Sequence, residues 1–352
     1  MKILCTGDLH IDEKLFDQKT LRQAYINMNE RLTDNSLLNL ESQYPSLVEI
    51  VESSKNVDLV VILGDVFGLD DNHYSTIAER TMFTDFITRI DKPIYVLYGN
   101  HEVAHDLDYF SKFKHVAIIT SYFEDDTFKL MAFPSHVNKE DIERFFKPSN
   151  KILFTHAMFA GANLGNKEAK YDARFTFPSK YDKAPGKLII AGHVHIPQTI
   201  NNFIYYVGST NRFNYGEVDE EKSFIILDTD TLKINRIPLK LVRKLYQFES
   251  KFENGKFIPE LPETIPPLSK LKLSVSEKDM AKLPYNILSA FHKVEYINTT
   301  PKERKNREDL NILKGNSLLE EARLYLQQKI KDLSADSIKS ILNKIETLSK
   351  EG

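Results

Sequence analysis

The sequence predicts an α/β protein with two sheets in its larger part, followed by a small α+β unit and C-terminal helices. Five short apolar runs each stop at a polar turn that contains Gly, Asp or His, as strands buried on both faces do. Apolar residues at helical spacing separate the early runs, and strand-like segments follow the last one. This order favours a parallel sheet with helices outside it.

Each of the five predicted strands leads into residues that can bind metal ions. In α/β proteins, ligands gather beyond the carboxyl ends of parallel strands. We therefore expect these side chains to converge on one edge of the sheet and to form a metal site. The runs and the polar residues after them are 2–5 with Asp8 and His10, 59–63 with Asp65, 94–98 with Asn100, His101 and Glu102, 152–155 with His156, and 188–191 with His193 and His195.

The segments around these strands complete the predicted core. Helical spacing predicts helices over 21–28 and 47–51, before the second strand, and over 77–90, before the third. After His195, three further segments have the character of strands, which suggests a second sheet packed on the first. These segments are 203–207, 223–227 and 233–238.

The chain is expected to divide near Pro238. Residues 1–238 would form the domain that carries the metal site, and residues 239–298 a small α+β accessory domain. Residues 299–315 are polar and suit a linker, and residues 316–352 predict two amphipathic helices. The elements predicted in the accessory domain are strands over 245–252, 270–276 and 294–298 and a helix over 286–292.

The composition is that of a globular protein without a membrane span. Of the 352 residues, 41% are hydrophobic and 28% charged, and no apolar run approaches the roughly 20 residues of a transmembrane helix. Acidic side chains outnumber basic ones in 1–237, whereas 238–352 is basic and includes the cluster 302–307, a candidate for phosphate contact or a solvated linker. The single cysteine, Cys5, excludes an internal disulfide. A strand that begins at residue 2 leaves no room for a signal peptide, so we expect a cytoplasmic protein.

The ligand types limit the metal and its chemistry. Mixed oxygen and imidazole ligands suit manganese, magnesium or iron, whereas structural zinc favours cysteine. Ligands on five strand ends suffice for two ions, and Asp65 is the candidate bridge because it stands alone between the other pairs. Two ions about 3.5–4 Å apart stabilise the attacking and leaving oxygens of a phosphoryl displacement and supply hydroxide at neutral pH. The pattern therefore indicates a two-metal phosphoester hydrolase.

Taken in order, Asp-x-His, Gly-Asp, Gly-Asn-His-Glu, a lone His and Gly-His-x-His resemble the calcineurin-like metallophosphoesterase superfamily. The resemblance implies a two-sheet α/β/β/α sandwich of the metallophosphoesterase type and two divalent cations, Mn2+ or alternatively Mg2+. It also implies that His101 stabilises the transition state and protonates the leaving group. The implied ligand sets are Asp8, His10, Asp65 and His195 for one cation, and Asp65, Asn100, His156 and His193 for the other.

The region after His195 resembles one particular branch of this superfamily. Gly208-Ser209-Thr210, Arg212-Phe213 and the turn from Gly216-Glu217 to Lys222-Ser223-Phe224 are similar to SbcD-type DNA double-strand-break repair nucleases. This implies exonuclease action on duplex ends and endonuclease action on single strands, in DNA recombination, repair or replication. It further implies a homodimer and an SbcC-like coiled-coil ATPase partner that grips the terminal helices. The compact length resembles the phage recombination endonuclease subunits of this family, whose location is the host cytoplasm.

Two positions leave alternatives open. Glu102 is typical of phosphatases, so the alternative is a metallophosphatase or small phosphodiesterase acting on nucleotides or phosphoproteins. Gly68 stands where many family members carry His or Asp, and Asp70, Asp71 or His73 could substitute in handling the leaving group.

A third hypothesis is a non-catalytic assembly subunit, which the complete ligand set disfavours. The histidines that match no family motif, and are expected to be structural or at the surface, are His73, His105, His115, His136 and His292.

Overall fold

A computed structural model of the chain describes residues 1–12, 44–68, 74–103, 105–165, 174–258, 260, 262, 265, 269–283, 288, 291 and 293–299. The α-helices in this part of the chain are α1 (Tyr44–Ser54), α2 (Ile77–Thr88), α3 (Lys139–Phe146) and the short α4 (Glu277–Met280). Short 3-10 helices cover Asp108–Lys112, Pro134–His136 and Tyr215–Glu217.

Within the described residues, the strands lie in two large sheets and two smaller ones. In chain order they are β1 (Lys2–Thr6), β2 (Leu59–Ile62), β3 (Ile94–Leu97), β4 (Val116–Ile119), β5 (Tyr122–Glu124), β6 (Phe128–Met131), β7 (Ile152–His156), β8 (Met158–Phe159), β9 (Thr176–Phe177), β10 (Leu188–Gly192), β11 (Gln198–Ile200), β12 (Ile204–Tyr206), β13 (Ser223–Asp228), β14 (Ile234–Pro238), β15 (Leu245–Glu253), β16 (Lys256–Ile258), β17 (Lys270–Val275) and β18 (Lys293–Asn298).

The five apolar runs form strands as predicted, but they divide between two sheets. The first sheet has the order β14-β13-β1-β2-β3-β4, and the second the order β11-β12-β10-β7-β6-β5. Strands β1 to β4 are parallel to one another, as are β6, β7, β10 and β12. The expectation of a single sheet edge was therefore wrong, because the metal-site residues follow strands of both sheets.

The segments after His195 also do not form the second sheet by themselves. Of the three predicted strands, only β12 joins that sheet, whereas β13 pairs antiparallel with β1, and β14 with β13. This pairing satisfies the backbone groups on the open side of β1, which has β2 on its other side. The second sheet instead includes β5 and β6, which the sequence pattern did not predict.

The two large sheets pack face to face through an apolar layer that both contribute to. Ile3 and Cys5 of β1 share one buried cluster with Leu130 of β6 and Phe154 of β7. Leu4 belongs to the other main cluster, because successive side chains of a strand point to opposite faces. The alternation explains why these strands are apolar throughout, since each face is covered.

Helices cover the outer faces of the sheets. Leu47 and Ile50 of α1 and Phe83 of α2 lie in the same cluster as Leu4. Helix α3, which the sequence pattern did not predict, belongs to the second sheet: the buried ammonium of Lys129 on β6 donates to the carbonyls of Arg144, Phe145 and Lys147 at 2.9, 3.2 and 2.7 Å. A cation at a helix C-terminus offsets the exposed carbonyl dipoles there. The layers form the predicted α/β/β/α sandwich.

A third sheet with the order β16-β15-β17-β18 is formed by the strands that come after β14 in the chain. Strands β15, β17 and β18 are parallel, with their own apolar cluster that includes Leu271, Leu273 and Phe291. These strands match the α+β unit predicted after Pro238 to within a residue or two at each end. A domain boundary at that point stays a prediction.

Several predicted elements lie outside the described residues. They are the helix over 21–28, the linker 299–315 apart from Thr299, the terminal helices over 316–352 and, apart from Leu288 and Phe291, the helix over 286–292. The same holds for Asp70, Asp71, His73 and His292. Among the helices that the structure describes, none is both long and apolar enough to cross a membrane.

The inter-sheet layer predicts a large effect on stability at Leu130, which is 0% exposed. We expect Leu130→Ala to lower the free energy of unfolding by about 2–5 kcal/mol, because the substitution leaves a cavity between the sheets. Urea unfolding followed by circular dichroism measures this. Ile77→Ala is the control, since Ile77 is 78% exposed and should change stability by only about 0.5 kcal/mol. Equal effects of the two substitutions would contradict the packing described.

Candidate metal centre

The turns after the strands bring the predicted ligands together through unusual backbone geometry. Asp8, His10, Asp65 and His193 have positive φ angles of 50°, 43°, 51° and 84°. Left-handed backbone costs free energy for residues with a side chain, and such residues persist where surrounding contacts hold them. Two bonds between the first two turns do so here: Asp8 N donates to Gly64 O at 3.0 Å, and His10 N to Asp65 O at 2.9 Å.

Glycines before two of the ligands leave the room that these turns need. Gly64 has φ +93°, and a Cβ there would lie 2.7 Å from His156 Nδ1. A Cβ on Gly99 would lie 2.5 Å from the backbone nitrogen of Asp65. Any side chain at either position would displace a ligand. Lack of space for a side chain therefore explains why glycine precedes Asp65 and Asn100 in the sequence.

One group of potential ligands consists of Asp8, His10 and His195. The Nε2 atoms of His10 and His195 lie 3.0 Å apart, and His195 Nε2 lies 4.0 Å from an Asp8 oxygen. The Nδ1 atom of each imidazole faces an acceptor on the other side: the Gly68 carbonyl for His10, and Glu217 Oε1 at 3.4 Å for His195. Donation from Nδ1 leaves Nε2 as a bare lone pair directed into the site.

A second group consists of Asn100, His156 and His193. The Asn100 Oδ1 atom lies 3.0 Å from His156 Nε2 and 2.7 Å from His193 Nδ1, and these two nitrogens are 3.2 Å apart. His156 Nδ1 faces the Leu63 carbonyl at 2.6 Å, which again leaves Nε2 for the site. The register places His156 of β7 directly beside Gly192 of β10, so His193 follows in the adjacent turn.

Asp65 lies between the two groups. Its Oδ2 atom is 3.6 Å from His10 Nε2 and 3.3 Å from His156 Nε2, and its Oδ1 accepts a hydrogen bond from the backbone of His101 at 3.0 Å. Asp65 is 2% exposed, and its carboxylate lies within 4.0 Å of imidazole nitrogens of both groups. The position supports its predicted role as a bridge.

Burial and charge shape the protonation of the site. Burial lowers the pKa of His10 and that of His193 to about 3, which keeps both imidazoles neutral and able to bind a metal. Burial would also lower the pKa of His156, but the Asp65 carboxylate outweighs it and raises that pKa to about 9. Burial opposes ionisation of Asp65, yet His156 and His10 hold its pKa well below the usual range. Asp65 therefore keeps its charge.

The donor set fits divalent cations. Imidazole nitrogens of different residues lie 3.0 Å and 3.2 Å apart, so that one cation can bind both members of each pair. Two buried carboxylates, one amide oxygen and four imidazoles make a mixed oxygen and nitrogen set, and the single cysteine is a buried strand residue elsewhere. The predicted ligands are thus brought together in two groups that share Asp65.

His101 lies beside His10 and Asp65. One of its ring nitrogens falls within 4.8 Å of ligand atoms of His10 and Asp65, and its ring packs edge-on against His10 at 5.1 Å between centroids. The structure therefore brings His101 to the site with the ligands. That it acts on the substrate and binds no metal stays a prediction.

Glu102, the residue that favoured a phosphatase, is buried and bonded to the backbone. It accepts hydrogen bonds from the amides of Asp65 at 3.0 Å, of Val66 at 2.6 Å and of Gly99. Burial and the nearby Asp65 charge raise the pKa of Glu102 to about 7. Since it joins the turn after β2 to the turn after β3, its role here is structural. Its identity therefore says little about the substrate.

Sequence reasoning missed a buried pair behind His195. Glu217 Oε1 faces His195 Nδ1, while Glu217 Oε2 lies 2.7 Å from the ammonium of Lys222, which also donates to the His195 carbonyl at 3.1 Å. Glu217 and Lys222 are 5% and 1% exposed. The acidic turn from Gly216 to Lys222 carries part of the family resemblance. Its opposite charges, about 20 residues after the ligand His195, are the signal in the sequence that points to this pair.

Gly68 contributes a backbone group to the metal centre. Its carbonyl is the acceptor for His10 Nδ1, and its φ of +63° is a left-handed conformation that glycine adopts more readily than other residues.

His136, expected to be structural or at the surface, is half-buried, and its Nε2 faces the Gly99 carbonyl at 3.1 Å. It supports the turn before Asn100. A cavity of about 300 Å³ is lined by residues that include His193 and His195.

Comparison with known proteins agrees with this geometry. Residues 1–211 match the family described as calcineurin-like phosphoesterase. The chain is 25% identical over 214 residues to a protein of Invertebrate iridescent virus 6 named phosphoesterase 244L, covering 54% of this chain and 71% of that protein. It is 24% identical over 298 residues to the SbcD component of the SbcCD nuclease of Staphylococcus epidermidis, covering 72% of this chain and 74% of that protein.

Among solved structures, the chain is similar to Yfce, a phosphoesterase from E. coli, with 14% identity and a TM-score of 0.30 over 68% of this chain and 100% of that one. The family match spans more than half of the chain and includes all the predicted metal ligands and His101. The chain belongs to the calcineurin-like phosphoesterase family and is a metal-dependent phosphoesterase.

Proposed function

We propose that the chain is the nuclease component of an SbcCD-like complex and hydrolyses phosphodiester bonds of DNA during recombination, repair or replication. The observation that carries this proposal is the match to the SbcD component of SbcCD, which aligns over 298 residues and so extends beyond the 1–211 region typical of the family as a whole. The name of that relative marks it as one part of a complex. By that likeness, the partners of this chain are DNA, an SbcC-like ATPase and a second copy of the chain.

The contacts of the third sheet support this proposal. Lys272 of β17 lies over the ring of Tyr215 at 5.4 Å, and Arg243 donates to the Arg212 carbonyl at 2.9 Å. Arg212 in turn donates to the Glu217 carbonyl at 3.2 Å. The strands after residue 238 are thus joined to the segment that positions His195. We infer that the accessory region and the metal centre act on the same substrate.

The mechanism follows from the residues around the centre. Asp8, His10, Asp65 and His195 would hold one cation, and Asp65, Asn100, His156 and His193 the other, with Mn2+ as the preferred ion and Mg2+ as the alternative. When bound, such ions neutralise charge on the phosphodiester and activate water at neutral pH. His101 would hold a proton on its imidazole and pass it to the departing sugar oxygen.

One assay tests the proposed function. The purified chain is mixed with end-labelled duplex DNA, single-stranded DNA or a generic phosphomonoester, each with Mn2+, Mg2+ or EDTA. We expect DNA cleavage with Mn2+ and none with EDTA. Turnover of the phosphomonoester without DNA cleavage would instead support the metallophosphatase alternative, which the match to phosphoesterase 244L favours. The ATPase contact through residues 316–352 lies outside the described residues and is tested by pull-down with that segment deleted.

A second prediction concerns His101. We expect His101→Ala to lower DNA cleavage about 10²–10⁴-fold, the usual contribution of a general acid, while both metal ions stay bound. Cleavage rates and metal content by mass spectrometry are measured on the same preparation. Asp65→Asn is the comparison, since loss of the shared carboxylate should empty or disorder both sites. His105→Ala is the control, because the side chain of His105 is 86% exposed and pairs with Asp108. Loss of metal from His101→Ala would show that His101 is a ligand.

A third prediction concerns Glu217 as a positioning residue. We expect Glu217→Gln to weaken Mn2+ binding about 10–100-fold at the group that contains His195, because a neutral amide oxygen accepts more weakly from Nδ1 and leaves the imidazole less basic and less firmly oriented. Calorimetric titration should then resolve one weakened and one unchanged site. Glu124→Gln, which removes a surface partner of Lys151, is the control. Equal weakening of both sites would indicate a general structural defect.

A further inference from the structure

A row of planar groups leads from the second ligand group to the surface. The ring of Phe133 lies 5.3 Å from that of His193 between centroids, tilted by 38°. Phe175 lies 5.2 Å from Phe133, and the guanidinium of Arg174 lies over the Phe175 ring at 5.3 Å. We call these four residues the aromatic row. It joins a metal ligand to a cation by three contacts of similar length.

Exposure rises over the outer part of the aromatic row, from Phe133 to Arg174. Phe133 is 7% exposed, Phe175 is partly exposed, and Arg174 is exposed. Backbone pairing holds the two rings in place: Phe133 N donates to the Tyr98 carbonyl at 2.8 Å, and the strand β9 that follows Phe175 pairs with β8. The outer end of the row is therefore a planar cation supported from beneath by fixed rings.

This chemistry suits a nucleic acid strand better than a small phosphoester. A guanidinium plane stacks on nucleobases and also forms hydrogen bonds to phosphate, two contacts that a strand offers together. A small phosphomonoester bound between the ligand groups would not reach across three successive contacts of 5.2–5.3 Å to Arg174. Residues 1–237 have more acidic than basic side chains, so a cation close to the centre is a specific local feature.

We propose that the aromatic row is a subsite for single-stranded DNA, in which Arg174 stacks on a base near the scissile phosphodiester and contacts a backbone phosphate. This inference rests on the proposed function and adds the residues that recognise the strand. Phe213 is a different case, because its ring packs edge-on against His10 and His195 at 5.1 and 5.5 Å. Substitution there would disturb the ligands themselves.

The test measures binding of a fluorescein-labelled single-stranded oligonucleotide by the full chain, by anisotropy in Ca2+, over a range of salt concentrations. We expect Arg174→Gln to weaken binding at least about fivefold, the effect of losing one stacked base contact. We also expect the slope of log affinity against log salt to become shallower by about 0.7, the value for one lost phosphate contact to a single strand.

Two further variants separate stacking from charge. Arg174→Lys keeps the positive charge without the plane, so we expect the wild-type salt slope with weaker binding. Phe175→Leu removes the supporting ring but keeps apolar volume, and should weaken binding without changing the slope. If the aromatic row had only a structural role, neither Arg174 variant would change the salt slope or the affinity for single-stranded DNA.

The matched control is Arg144→Gln. Arg144 lies over the Tyr122 ring at 5.3 Å, the same arrangement as Arg174 and Phe175, but no ring contact joins that pair to His193 in the described part of the chain. We expect wild-type binding from this variant. Equal losses in Arg144→Gln and Arg174→Gln, or no change in Arg174→Gln, would overturn the subsite. If the wild-type chain neither binds nor cleaves single-stranded DNA, the proposed function itself fails.

Discussion

The Asp65 carboxylate is the interaction on which the rest of the centre depends. It is buried between imidazoles that come from different sheets, since His10 follows β1 and His156 ends β7. A buried charge needs partners that outweigh the lost hydration, and here nearby imidazoles and a backbone amide supply them. Each sheet thus provides part of the stabilisation of one shared anion. The packing of the two sheets and the geometry of the site are therefore a single constraint.

That constraint explains why backbone geometry at the site is so restricted. Left-handed turns at Asp8, Asp65 and His193 direct side chains sideways from the strand ends, across the junction between the sheets. Gly64 and Gly99 clear the space in which those turns meet, and Glu102 bonds to three amides that would otherwise be buried without acceptors. Strain in the turns is tolerated because the sheets beneath them are packed on both faces.

The sequence predicted the fold class, the five central strands and the residues that meet at the centre. It succeeded because strands buried on both faces are apolar throughout, and because the ligands follow them directly. It did not predict how strands divide between sheets: β13 pairs with β1 through contacts more than 200 residues apart, which no local pattern encodes. Helix α3 was missed although Asn138 caps it, because its eight residues are too few to reveal a helical period.

The buried pair of Glu217 and Lys222 shows why the supporting residues are harder to predict than the ligands. A ligand is identified by chemistry that a metal requires, whereas a residue behind a ligand is identified only by what it touches. Here the pair holds His195 from one side, and Arg212 and Arg243 connect the same segment to the region before β15. Removing one member of a buried ion pair leaves the other charge uncompensated. Substitutions in this segment would therefore disturb the metal centre by changing the position of His195, even though none of these supporting residues belongs to either ligand group.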